Sequence, residues 1–244
     1  MKLLEINPIT RLGLFLAFSI STLLSTHIGL LIFHCIATIF LLFQERDHWT
    51  EWKKVTRPFW RYFPITGLIF FFISFLVSNR PIPIIIIDIL MATIRLIIMV
   101  SVMTIYTIQS KTHDIILAIR SIWYAMGFQW RWVEDILLFF DMTIRFFPSF
   151  QEDWMQLEKS QKSLSVLPPN TLKAKAIQVA HFIPDFIILN LKKAESITRM
   201  MELRGYGKSI PRSVYPYIQF SGLDFICLFI FPLTLIGIHS IGKI

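Results

Sequence analysis

Between Arg11 and Glu45 the chain carries no charged side chain, and from Leu12 to Phe43 it reads almost wholly as leucine, isoleucine, phenylalanine and small residues. Such a run offers no polar face to water, so it must lie in lipid or in a core that a chain of this length cannot build around it. It is also well beyond the roughly 20 residues that cross a bilayer. The polar triplet Ser25-Thr26-His27 divides it into two short membrane helices. Asn7-Pro8 starts the first of them, with asparagine as the cap and proline where no amide donor is needed.

The rest of the chain extends this pattern. Of 244 residues, 55% are hydrophobic and 16% charged, with a mean hydropathy of +0.60, which excludes an ordinary soluble domain. A third span is expected over about Phe63–Ser78, then a tight turn at Asn79-Arg80-Pro81, and a fourth over about Ile82–Gln109. A fifth covers about Tyr217–His239. Residues 44–62, rich in tryptophan and charge, read as an interfacial loop. Lys2 and Arg11 precede the first apolar run without a small-residue cleavage site after it, so that run reads as a retained helix and not as a signal peptide. Cys35 and Cys227 both fall in apolar runs and read as small core residues.

Net charge is +8, from 24 Lys+Arg against 16 Asp+Glu. Loop asymmetry explains this better than nucleic acid, so no nucleic-acid partner is expected. With the N-terminus in the cytoplasm, residues 44–62 and 110–216 are cytoplasmic too. Only Arg80 and Lys243 then fall outside and Arg95 within a span, which leaves 21 of the 24 basic residues inside. The expected division is 1–109 as a four-helix membrane bundle, 110–216 as a cytoplasmic region and 217–244 as the last membrane helix.

The cytoplasmic region has a helical period. Trp132, Ile136, Phe139, Thr143, Phe146, Phe150, Trp154, Leu157, Gln161 and Leu164 alternate steps of three and four, apolar but for Thr143 and Gln161, and so do Leu172, Ala176, Val179, Ile183, Phe186, Asn190, Ala194, Ile197 and Met201, with Asn190 polar. Two long amphipathic helices are predicted, separated by Pro168-Pro169-Asn170, with a shorter helix at about Thr112–Met126 before them. Pro148 and Pro184 lie inside the long patterns and are expected to bend them.

Candidate sites are few. Gly207-Lys208-Ser209 looks like the end of a phosphate-binding loop, but Glu202 stands where the required earlier glycine should be, and the stretch follows a helix instead of a strand. Nucleotide binding is therefore not expected. The six histidines never pair at ligand spacing, so no metal site is expected, and no catalytic dyad is apparent. The adjacent acids Glu134-Asp135 and Glu152-Asp153 read as solvated faces. Asp88, Arg95 and Asp224 are charges within spans and candidates for a role there. Gly205 and Gly207 after Arg204 suit a helix end that needs left-handed backbone angles, and Arg204 itself can be a solvated cap or a gripping cation.

In order along the chain, these motifs resemble the transmembrane T component of energy-coupling factor (ECF) transporters, importers of vitamins and trace metals. Asn7-Pro8-Ile9-Thr10-Arg11-Leu12 is similar to that family's Asn/Asp-Pro-x-Thr-Lys-Leu entry to the first helix. Arg95-Leu96, Thr112 and Asp114 match its middle. Thr143-Ile144-Arg145-Phe146-Phe147-Pro148 resembles its Leu-Arg-Phe-Ile-Pro pattern. Ser160-Gln161-Lys162-Ser163 leads to the first Ala-Arg-Gly signature, and Lys193-Ala194-Glu195 with Met201-Glu202-Leu203-Arg204-Gly205-Tyr206-Gly207 resembles the second. Each motif is weak alone and specific in this order and spacing.

The resemblance implies an all-α polytopic membrane protein of about five transmembrane helices with long amphipathic cytoplasmic coupling helices, in a bacterial or archaeal cell membrane. The two coupling helices would cross, and their tips would dock in grooves of two ABC ATPase subunits: Ser163, Leu164 and Ser165 at one, Leu203, Arg204 and Gly205 at the other. ATP and magnesium would be bound by those partners, leaving this chain without a cofactor or an enzymatic activity. The motion would reach a small hydrophobic substrate-binding membrane protein, which sets the substrate, whether biotin, folate, thiamine, riboflavin, cobalt or nickel. Leu164 departs from the signature, which has arginine there, so the first tip lacks a charged grip. Two other classes compete: a membrane-embedded enzyme using Asp88, Asp224 or His34, and a self-contained ABC permease. The spans cluster no polar residues at one depth and are few for a permease.

Overall fold

The computed structural model describes residues 6–77, 81–163, 172–207, 210 and 212–241. Among them the chain is helical with no strand: α1 (Pro8–Leu24), α2 (Ile28–Gln44), α3 (Trp49–Val77), α4 (Ile82–Gln109), α5 (Thr112–Ala125), α6 (Arg131–Ser163), α7 (Leu172–Leu203) and α8 (Gly222–Ile241). It is an all-α polytopic membrane protein. The described residues fall into two compact units, one within 1–118 and 218–244, the other within 119–217.

In the first unit the start of α1 follows from its sequence. The Asn7 side-chain oxygen accepts from the Ile9 amide at 3.0 Å and Pro8 occupies the first turn. The helix stops after Leu24, where the Ser25 hydroxyl donates to the Thr22 carbonyl at 2.7 Å, and α2 begins at Ile28. Each of the two has 17 residues, a length of about 25 Å against a hydrocarbon thickness of about 30 Å. Three further segments are long and apolar enough to cross a membrane: Arg46–Val77, Ile82–Gln109 and Gly222–Ser240.

The third of the expected spans needs correction. Trp49–Tyr62 is not a loop but the first half of α3, preceded by a single 3-10 turn at Arg46–His48. Tryptophan, lysine and arginine are compatible with a helix that leaves the bilayer, where aromatic rings and basic heads sit at the headgroup level. Lys53 Nζ lies 5.0 Å over the Trp49 ring one turn away, and the Thr56 hydroxyl donates to the Trp52 carbonyl at 2.7 Å.

The core of this unit is made by α1, α2 and α4: Phe15, Phe18, Leu31, Ile98, Val102, Ile105 and Tyr106 are buried together. Polar side chains inside it are satisfied locally, as lipid requires. His34 is fully buried; its Nδ1 faces the Leu30 carbonyl at 2.8 Å and its Nε2 the Ser21 hydroxyl at 2.9 Å. A carbonyl can only accept, so Nδ1 carries the proton and Ser21 donates to Nε2. By contrast, the outward apolar residues of α3, Leu76 and Val77 among them, are exposed on the face that lipid covers.

Candidate functional site

The end of α7 is closed by a glycine turn that the sequence marks out. Gly205 has φ +74°, its amide donates to the Glu202 carbonyl at 2.9 Å, and the Tyr206 amide donates to the Met201 carbonyl at 3.0 Å. These two bonds form a Schellman cap, which uses up carbonyls that the helix leaves unpaired. Gly207 has φ +89° with nothing within 4 Å of where a Cβ would be, so backbone angle and not space selects glycine there. The cap leaves Leu203, 84% exposed, and Arg204, also exposed, projecting from the helix end. An apolar side chain and a cation are thus presented side by side at the helix C-terminus.

The tip of α6 is described only to its last residue. The Ser163 hydroxyl donates to the Lys159 carbonyl at 3.0 Å, whereas Leu164 and Ser165 lie outside the described residues. Below the tips, α6 and α7 meet along one stretch. Lys193 Nζ donates to Asp153 Oδ2 at 2.7 Å and to Ser149 Oγ at 2.9 Å, and the Trp154 and Phe186 rings meet edge to face at 5.3 Å. Residues rising along α6 therefore oppose residues falling along α7. Both helices continue through Pro148 and Pro184.

The start of α6 corrects the reading of its acidic pair. Glu134 is buried, and with Asp135 it holds Arg212: the Arg212 Nη2 donates to Asp135 Oδ1 at 2.7 Å, and the Arg212 backbone amide donates to Glu134 Oε2 at 3.3 Å. Two turns on, the buried Asp141 accepts from Arg120 of α5 at 2.6 Å, with Arg145 at 3.8 Å. Asp153 likewise belongs to the helix contact rather than to a solvated face. Apart from Asp141–Arg145, which is an i,i+4 pair, these ion pairs join positions on different elements, so helical periodicity gives no sign of them.

The intramembrane charges separate in the same way. Asp224 caps two helices at once. Its Oδ2 accepts from the Ser221 amide at 2.9 Å while the Ser221 hydroxyl accepts from the Asp224 amide at 3.4 Å, a reciprocal capping box for α8. Its Oδ1 accepts from the Asn7 amide at 3.1 Å, which ties the start of α1 to the start of α8. The pattern Ser-x-x-Asp ahead of an apolar run is the signal that could have found it. Arg11 is buried and donates to the carbonyl of Gln109, the last residue of α4, at 3.2 Å. Asp88 is exposed on α4, and Arg95 is half-buried. The structure thus gives Asp224 a capping role and His34 a packing role.

No family model matches the chain. Over 152 residues it is 25% identical to the energy-coupling factor transporter transmembrane protein EcfT of Macrococcus caseolyticus (strain JCSC5402). The match covers 62% of this chain and 57% of that protein, so the chain spans just over half the length of the relative.

Proposed function

We propose that this chain is the transmembrane coupling subunit of an ECF-type importer, passing the motion of two ABC ATPase subunits to a separate substrate-binding membrane protein for uptake of a vitamin or trace metal. The observation that carries this reading is the capped end of α7, where a Schellman turn holds Leu203 and Arg204 out in the open. The likeness to an energy-coupling factor transporter protein and the order of the sequence motifs support it. In this reading the N-terminus and the region from α5 to α7 lie in the cytoplasm, and five helices cross the membrane. Ser163, Leu164 and Ser165 dock at one ATPase, and Leu203, Arg204 and Gly205 at the other.

The mechanism needs only binding and rigidity from this chain. Arg204 offers five donors in a fixed fork, suited to carboxylates or helix-end carbonyls in a groove. Leu203 adds burial. ATP is bound and hydrolysed by the partners, and a displacement at the tips is carried along α6 and α7 to the substrate-binding protein.

Expression of the tagged chain with the ATPase and small membrane proteins encoded beside it tests this directly. Copurification of both ATPases and of a small hydrophobic protein is the expected result. The chain purifying alone with a catalytic activity of its own would turn the assignment to a membrane-embedded enzyme.

A further inference from the structure

We propose that Arg212 is a latch between the α7 tip and the first turn of α6, and so the positioning residue through which displacement of the tip reaches the base of the helix pair; this rests on the coupling-subunit reading. The Arg212 side chain is only 12% exposed and Glu134 6%, so their 3.9 Å contact is largely shielded from water and salt, whereas Asp135, its closer partner, is 51% exposed. Three interactions converge on it. Its Nη2 donates to Asp135 at 2.7 Å, its backbone amide donates to Glu134 at 3.3 Å, and its guanidinium carbon lies 5.6 Å over the Tyr206 ring.

Those partners belong to the two ends of the path. Tyr206 is the second residue past Arg204, fixed to the helix by its amide bond to Met201 at 3.0 Å, so its ring moves with the tip. Glu134 lies buried in the first turn of α6, where the helix N-terminus favours negative charge and lowers the cost of burying it, while Asp135 beside it is exposed. From there the buried Asp141–Arg120 pair ties α6 to α5. Without Arg212, the buried Glu134 would lose its cation, and displacement of the tip would reach α6 only through the contacts of Lys193 and Phe186 farther down α7.

The test uses the complete complex in proteoliposomes, with substrate uptake and ATP hydrolysis measured together. Arg212→Gln is expected to copurify with both ATPases and hydrolyse ATP, while uptake per ATP falls by about tenfold, within the usual range of coupling between two sites. Arg212→Lys keeps the charge but loses the fork, and should fall between the two. Unchanged uptake per ATP in Arg212→Gln overturns the proposal. If that variant fails to assemble, the decision passes to Asp135→Cys/Arg212→Cys in a background with Cys35→Ala and Cys227→Ala. Bridging the two thiols with a short bifunctional reagent must restore uptake per ATP, and failure to do so overturns the latch. A wild-type chain that never binds the ATPases removes the coupling reading instead, and the latch with it.

Discussion

Gly205 and Arg204 divide the work at the end of α7. Gly205 supplies the left-handed turn, which costs any other L-residue roughly 1–2 kcal/mol. Arg204 supplies charge and can be altered without touching the turn. In the coupling reading the two tips are unequal, because losing one partner of a charged interface contact costs about 2–5 kcal/mol, whereas a leucine buried in a groove contributes about 1.5–3 kcal/mol. Arg204→Glu is therefore expected to weaken ATPase copurification or uptake by tenfold or more (about 1.4 kcal/mol per tenfold), and Leu164→Ala to do less. Normal transport in Arg204→Glu with none in Leu164→Ala would make this ranking wrong. A second residue-scale expectation concerns Asp224. Its box and its bond to Asn7 hold two helix starts together, so Asp224→Ala should lower stability in detergent by about 1–3 kcal/mol, read from thermal unfolding. Uptake should fall only with the amount of protein in the membrane; a full-length, normally abundant but inactive variant would instead return Asp224 to a functional role. Arg204 and its glycines are legible in the sequence because a cap is a local pattern. Arg212 and Asp135 stand 77 positions apart, and only the fold brings them together.

At the scale of elements, local signals carried most of the boundaries. The start at Asn7-Pro8, the break at residues 25–27, the bounds of α4 and the end of α7 all follow from caps, turns and periodicity, which act over a few residues, whereas the boundary expected at Pro168-Pro169-Asn170 lies outside the described residues. The first half of α3 is not legible in the sequence, because a helix leaving the bilayer carries the same charged residues and tryptophans as a membrane-surface loop. The prolines within α6 and α7 lead to an expectation about shape. Pro148 and Pro184 each lack an amide donor, leaving the carbonyls of Ile144 and Ala180 without their usual partner, and each ring crowds that carbonyl. Such positions are where a long helix bends. With spin labels two turns on either side of each proline, Pro148→Ala and Pro184→Ala should lengthen the measured separation as the helix straightens. Identical distance distributions before and after would show that neither proline bends its helix.

For the whole molecule, the remaining question is how the chain threads the bilayer, and here charge and helix length constrain different parts of the answer. Basic residues near membrane helices stay on the cytoplasmic side. Placing residues 44–62 and 110–216 there leaves only Arg80 and Lys243 outside, while the inverted threading exports nearly every lysine and arginine. Charge does not decide the path of α1 and α2, however. At 17 residues each, they could cross fully with their turn outside, or dip in and return as a hairpin, and both routes bring residue 44 back to the side of the N-terminus. Thr26, exposed in the turn between them, separates the two routes. In a chain with Cys35→Ala and Cys227→Ala, single cysteines can be probed in intact cells with a membrane-impermeant thiol reagent. Arg80→Cys is expected to label from outside, and Ser160→Cys and Arg204→Cys only after the membrane is opened. Thr26→Cys should label from outside if five helices cross, and stay protected if the first two form a hairpin. Labelling of Arg204→Cys in intact cells would reverse the threading. It would also remove the coupling reading, since a tip outside the cell cannot meet an ATPase that draws on cytoplasmic ATP.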